Sequence, residues 1–175
     1  MDASQNVPVS IFSPTSAGSW GNNIAIGSKR YGSDTGTTTR FLYLVVDLSD
    51  LSVVAEVADT SNDTVPAAIQ AYAGQARYFL LFVAMGQITG NMPQGALSTF
   101  LRQTGSGPVL ASMEQMIASL GTGSISGFSY ALGASLDEQD LPGFEAGSFN
   151  DTSFLTFAFT PITNGGTTTY APISV

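Results

Sequence analysis

The chain has 175 residues, one domain's worth, with 43% hydrophobic residues but only 10% charged ones, against about 25% in an ordinary soluble domain. Thirteen acids, five bases and no His or Cys exclude imidazole bases, Ser-His-Asp or Cys-His machinery, disulfides, and thiolate or imidazole metal sites. The net charge of −8 disfavours tracking of a nucleic-acid backbone or an anionic membrane surface, both of which need clustered cations.

In chain order, Met1–Gln5 has neither a basic n-region nor an apolar h-region, so no signal peptide is expected. Val7, Val9 and Ile11 alternate as a first strand, and Pro8 suggests that it lies at a sheet edge. Residues 16–21 form a loop around Trp20, and 23–27 a short strand. The Gly/Ser/Thr-rich stretch 28–39, with Lys29-Arg30, reads as a long loop or hairpin. Residues 41–46 (Phe-Leu-Tyr-Leu-Val-Val) form a continuous apolar strand expected to be buried on both faces. Residues 47–50 turn the chain into a return strand over 51–57.

Asn62-Asp63-Thr64 offers N-caps for a short helix over 67–73, with Pro66 in its first turn and Gly74 as its stop. Residues 78–84 read as a central strand and 86–91 as a loop. Pro93 suits the first turn of a second helix carrying Ala96, Leu97, Phe100 and Leu101. Pro108 opens a third, in which Val109, Met113, Met116, Ile117 and Leu120 share one face of a 3.6-residue period. The Met pair is read there as core filler. A strand over 125–136 is interrupted by Gly127 and Gly133, a sign of a bulge or close backbone approach. Residues 137–147 read as an acidic loop. A strand containing Phe154, Thr156 and Phe159 follows, then a hairpin turn at Asn164-Gly165-Gly166 and a return strand over 167–175. No stretch approaches the ~18 apolar residues of a membrane span.

Little here carries chemistry. Asp137, Glu138, Asp140 and Glu145 are the nearest thing to paired carboxylates, and one polar loop is their simplest setting. They lack the D-x-D-x-D-G spacing of a calcium loop. No phosphate loop precedes Lys29-Arg30. Neither a cofactor nor a catalytic residue is expected.

The middle of the chain resembles the interleukin-like EMT inducer (ILEI, or PANDER-like) domain family. The resemblance is carried in order by Leu44-Val45-Val46-Asp47, Val57-Ala58-Asp59-Thr60, Pro66-Ala67-Ala68-Ile69 and Phe79–Ala84. Leu120-Gly121 and Tyr130-Ala131-Leu132-Gly133 complete the set. It spans about residues 41–136 and leaves 1–40 and 137–175 uncovered. It implies a single domain of β-rich α+β class, two packed antiparallel sheets with about three helices against them, and action without catalysis. Family members include secreted signalling molecules held by disulfides, which this Cys-free chain cannot form. A sugar-binding relative uses an Asp after the central strand and an Arg-Asp step before the late aromatic; here Gly86–Gly90 and Phe128-Ser129-Tyr130 stand instead. Gln87, Asn91 and Tyr130 occupy those positions, where amides and a stacking ring could meet a glycan.

A surface built from Ser, Thr, Asn, Gln and Gly loses little on desolvation compared with a charged one. The sequence therefore points to a non-enzymatic structural subunit of a larger assembly, a virion protein such as a phage tail, fibre or capsid decoration component. Its partners would be other protein subunits, reached through the two ends and the β-prone stretches Thr167–Tyr170 and Phe154–Phe159, which could alternatively complete the chain's own sheet. The alternative function is a carbohydrate-binding module, extracellular or at a cell surface.

Overall fold

The computed structural model describes residues 5–14, 22–32, 39–86, 91–120, 127–137 and 143–175. Two five-stranded antiparallel sheets pack face to face, with three helices against the outer side of the second, a β-rich α+β sandwich-like fold. Sheet A has the order β10-β9-β1-β2-β3, from β1 (Val7–Ser13), β2 (Ile24–Ile26), β3 (Lys29–Tyr31), β9 (Ser153–Asn164) and β10 (Thr167–Ile173). Sheet B has the order β5-β4-β6-β7-β8, from β4 (Phe41–Asp47), β5 (Val53–Asp59), β6 (Tyr78–Ala84), β7 (Phe128–Ser135) and β8 (Phe144–Phe149). The helices are α1 (Ala67–Gln70), α2 (Gly95–Gln103) and α3 (Pro108–Leu120).

Sheet B is the middle layer, which explains its unbroken apolar strands. Side chains alternate along a strand, so β4 sends Phe41, Tyr43 and Val45 toward the helices and Leu42, Leu44 and Val46 toward sheet A. Strand β6 divides in the same way, with Leu80 and Phe82 on the helix side and Phe79, Leu81 and Val83 between the sheets. Sheet A covers only one face of its partner, and β1 accordingly alternates buried Val7, Val9 and Ile11 with exposed Pro8 and Ser10.

Strand β1 is central, not an edge as Pro8 suggests: it pairs with β9 along its full length and with β2 from Val9 to Ile11. The Pro8 carbonyl accepts from Gly27 N at 2.8 Å. In an antiparallel strand a residue's nitrogen and carbonyl point the same way. The missing N–H therefore faces the β2–β3 turn, and the ladder to β9 is intact. Gly133 is the close approach that its sequence implies: a Cβ there would sit 2.8 Å from the Phe157 ring and 3.2 Å from Phe79.

Three local features differ from the sequence reading. Pro93 stands before α2, which begins at Gly95. The Asn62–Thr64 segment caps α2 rather than α1: the Asp63 carbonyl accepts from Ala96 N (3.1 Å) and Leu97 N (3.3 Å), and the Asn62 carbonyl from Gln94 N (2.7 Å). Part of the expected acidic loop is strand β8, which carries Glu145. The expected loop around Trp20, along with Glu138 and Asp140, lies outside the described residues.

The two ends of the chain build sheet A. β9 has a partner on each side, so Phe157 and Phe159 complete the chain's own core. β10 remains at the edge, and that edge is blunted. Its two-residue Gly165-Gly166 turn sets Thr167 opposite Asn164, so Thr168, Tyr170 and Pro172 direct their backbone groups away from β9. Tyr170 N donates to the Leu48 carbonyl at 2.8 Å, and Pro172 has no N–H to offer.

Candidate interaction surfaces

Of the residues that the resemblance offers for a glycan, the two that are described, Asn91 and Tyr130, are not exposed. Gln87 lies outside the described residues. Asn91 is half-buried between β6 and α2. Tyr130 is fully buried in the helix-side core, so its ring is not a stacking platform. The reason is local: Tyr130 sits on β7, an interior strand of sheet B between β6 and β8, with its ring in the helix-side core.

Its hydroxyl donates to Glu145 at 2.5 Å. The same carboxylate accepts from Gly107 N at 2.9 Å and Val109 N at 3.1 Å, around the first turn of α3. Those amides have no intrahelical acceptor, and the positive end of the helix favours an anion. Glu145 is thus the cap of α3, supplied by a neighbouring strand. Burial, reinforced by the Glu145 charge, pushes the Tyr130 phenol well above its usual range. Sequence reasoning missed this role because the cap comes from a residue 36 positions away from Val109.

Helix α3 turns Leu110 and Met113 inward, whereas Met116 is 45% and Leu120 61% exposed. The Met pair is therefore split, with Met113 as core filler and Met116 at the surface. Beside them an uncharged groove of about 400 Å3 runs between α3 and β8, lined by Val109, Met113, Met116, Gly147 and Phe149 among others. Gly147 makes the approach possible: a Cβ there would lie 2.6 Å from Met113 Sδ and 2.8 Å from Val109 Cγ1.

The outer face of sheet A is the second open surface. Its exposed residues include Pro8, Ser10, Thr156 and Phe154, the last 68% exposed with its ring 4.9 Å from that of Phe12. Arg30 stands in register with Ala25 and Ser10 on this face. Arg30 Nη1 donates to the Gly27 carbonyl (3.2 Å) and the Lys29 carbonyl (3.3 Å).

Two ion pairs occur among the described residues, Arg102 with Glu114 and Arg77 with Asp47. In the second, Nε and Nη2 of Arg77 donate to both carboxylate oxygens at 2.6–2.9 Å. Together with the Ser49 N–H, these bonds lower the Asp47 carboxyl to about 2. The pair ties the β4–β5 turn to the start of β6.

Comparison with protein-family models and with curated proteins finds no match for this sequence.

Proposed function

We propose that this chain is a non-enzymatic structural subunit of a larger assembly, a virion component such as a tail, fibre or capsid decoration protein. The observation that carries the reading is the exposure of Met116, which lines an uncharged groove, and of Leu120 one turn further along α3. Apolar side chains gathered at a groove on a chain with 10% charged residues favour contact with another macromolecule over free solution. Neutral hydroxyl and amide groups around such a contact are displaced from water at far lower cost than ions. The absence of His and Cys from the sequence removes the commonest nucleophile–base pairs and supports the non-enzymatic half of the reading.

Sedimentation velocity over a wide concentration range tests it. The wild-type chain is expected to self-associate, and a chain that stays monomeric at every concentration overturns the reading. The carbohydrate-binding alternative loses the Tyr130 ring as a platform. A glycan-array signal from a chain that never self-associates would reinstate it.

A further inference from the structure

We infer that Asn164, at the tip of the β9–β10 hairpin, is a site of spontaneous covalent modification, in which its side-chain amide cyclises onto the backbone nitrogen of Gly165 and water opens the ring to an aspartyl or isoaspartyl residue. The inference goes beyond the assembly reading and does not depend on it.

The sequence narrows the choice first. Of the asparagines in the chain, Asn164 alone is followed by glycine. Ring closure brings the following backbone nitrogen to the side-chain carbon, and a Cβ on the following residue crowds that approach. Glycine has none. The structure supplies the room. Asn164, Gly165 and Gly166 are all exposed, and a Cβ built at either glycine would meet nothing within 4 Å. Gly165 (φ 58°) and Gly166 (φ 84°) form the turn, and the ladder closes at Asn164↔Thr167. The nitrogen of Gly165 therefore lies outside the ladder, with no strand partner to hold it.

The tip is also lightly fastened. Strand β1 pairs with β9 only from Ser153 to Phe159. From Thr160 to Asn164, β9 has β10 as its ladder partner and no third strand among the described residues. A two-stranded ribbon is marginally stable by itself, so this end opens at lower free energy than the body of sheet A. Opening lets the backbone at Asn164 rotate until Gly165 N meets Cγ. Other asparagines are held or crowded. Asn23 is buried, with Nδ2 donating to the Phe12 carbonyl at 2.9 Å, and Asn62 Nδ2 donates to the Met92 carbonyl at 3.3 Å. Asn22 and Asn150 are exposed, but Asn23 and Asp151 follow them with side chains where Gly165 has none.

The chemistry needs only water as co-reactant. Gly165 N gives up its proton and bonds to Asn164 Cγ, the Cγ–Nδ2 bond breaks, and Nδ2 leaves as ammonia with that proton. Water then adds to either carbonyl of the cyclic imide. Cleavage of the new N–Cγ bond leaves an aspartyl residue on the original backbone. Cleavage of the original peptide bond leaves an isoaspartyl residue, with the chain rerouted through Cβ and Cγ. Either product puts a carboxylate into residues 152–175, which contain no Asp, Glu, Lys or Arg.

The test incubates the purified full chain at neutral pH, folded in buffer and unfolded in guanidinium, and follows every asparagine by peptide mass spectrometry. In the folded chain Asn164 is expected to convert at least tenfold faster than any other asparagine, giving chromatographically distinct aspartyl and isoaspartyl peptides. Asn164→Gln closes a larger ring more slowly, so isoelectric focusing should show the acidic form accumulating in wild type and not in the variant. A folded chain that keeps Asn164 intact while the unfolded chain converts it overturns the inference. So does faster conversion at Asn22 or Asn150, or an acidic form that persists in Asn164→Gln.

Discussion

Ser13 carries a test of how the two sheets are locked together. The β6–β7 ladder is in register from Phe79↔Ser135 to Val83↔Ala131, so Ala84 and Tyr130 would form the next pair. They do not bond directly. Ser13, from the end of β1 in the other sheet, places its hydroxyl between them: it donates to the Ala84 carbonyl at 2.7 Å and accepts from Tyr130 N at 2.9 Å. The site is sealed, with Ser13, Ala84 and Tyr130 all at 0% exposure. Ser13→Ala removes one hydroxyl but orphans two backbone groups, each costing about 1–3 kcal/mol when buried without a partner. Partial closure of β6 onto β7 recovers some of this, so the expected loss is about 3 kcal/mol. For a domain of this size that lowers Tm by roughly 6–12 °C. Urea unfolding is the assay, with an unchanged m-value required for the comparison. Ser10→Ala, on the exposed side of the same strand, is the control and should stay within about 0.5 kcal/mol of wild type. Amide exchange at Tyr130 should accelerate in Ser13→Ala alone. A Ser13→Ala chain within about 0.5 kcal/mol of wild type, with Tyr130 exchange unaltered, refutes the bridge.

Four further outcomes follow from the same physics. The Tyr43 hydroxyl is buried without a hydrogen-bond partner among the described residues, so Tyr43→Phe should stabilise the fold by about 1 kcal/mol in urea unfolding; a loss of that size would contradict this. Gly133→Ala forces a methyl into the Phe157 ring and should cost about 1–3 kcal/mol, read by thermal unfolding. Glu145→Gln leaves one of the two α3 amides without an acceptor and should cost about 1–3 kcal/mol, with lost helical signal in circular dichroism. The Asp47 carboxyl is depressed from 3.8 to about 2, so its contribution to stability is complete above about pH 4 and is lost as pH falls toward 2. Unfolding curves of Asp47→Asn should therefore converge on wild type across that window and differ most above it; a constant difference down to pH 2 contradicts the pairing.

The parts of the fold that rest on local pattern were legible in the sequence. The spans of β4, β6, α2 and α3 follow from apolar runs and periodicity, and the Gly165-Gly166 turn from its residues. Where the sequence misleads, a distant partner decides. Pro8 reads as an edge residue because a missing N–H is assumed to break a ladder, yet here it points past the end of β2. Glu145 reads as a loop acid because nothing local shows that α3 lacks a cap of its own. Asn62 and Asp63 have the chemistry of caps, but the helix they cap starts some thirty residues later. Tyr130 illustrates the same limit for the candidate site. Its residue type suits a glycan platform, and only the packing of α3 over β7 reveals it as a core side chain. The open face at Arg30 and Phe154 carries no motif, since it is an outcome of cross-strand register alone.

The pairing of Val7 with Phe159, which joins β1 to β9, the ninth of ten strands among the described residues, has a consequence for biosynthesis. Translation delivers β1 well before β9, with β2 to β8 in between, so β1 has to wait for that partner. Until then the inward residues of β4 and β6, among them Leu42, Leu44, Phe79 and Leu81, lack the cover of Leu155, Phe157 and Phe159. A nascent chain in that state is a client for chaperones, and its yield should depend on them more steeply than the stability of the finished protein would suggest.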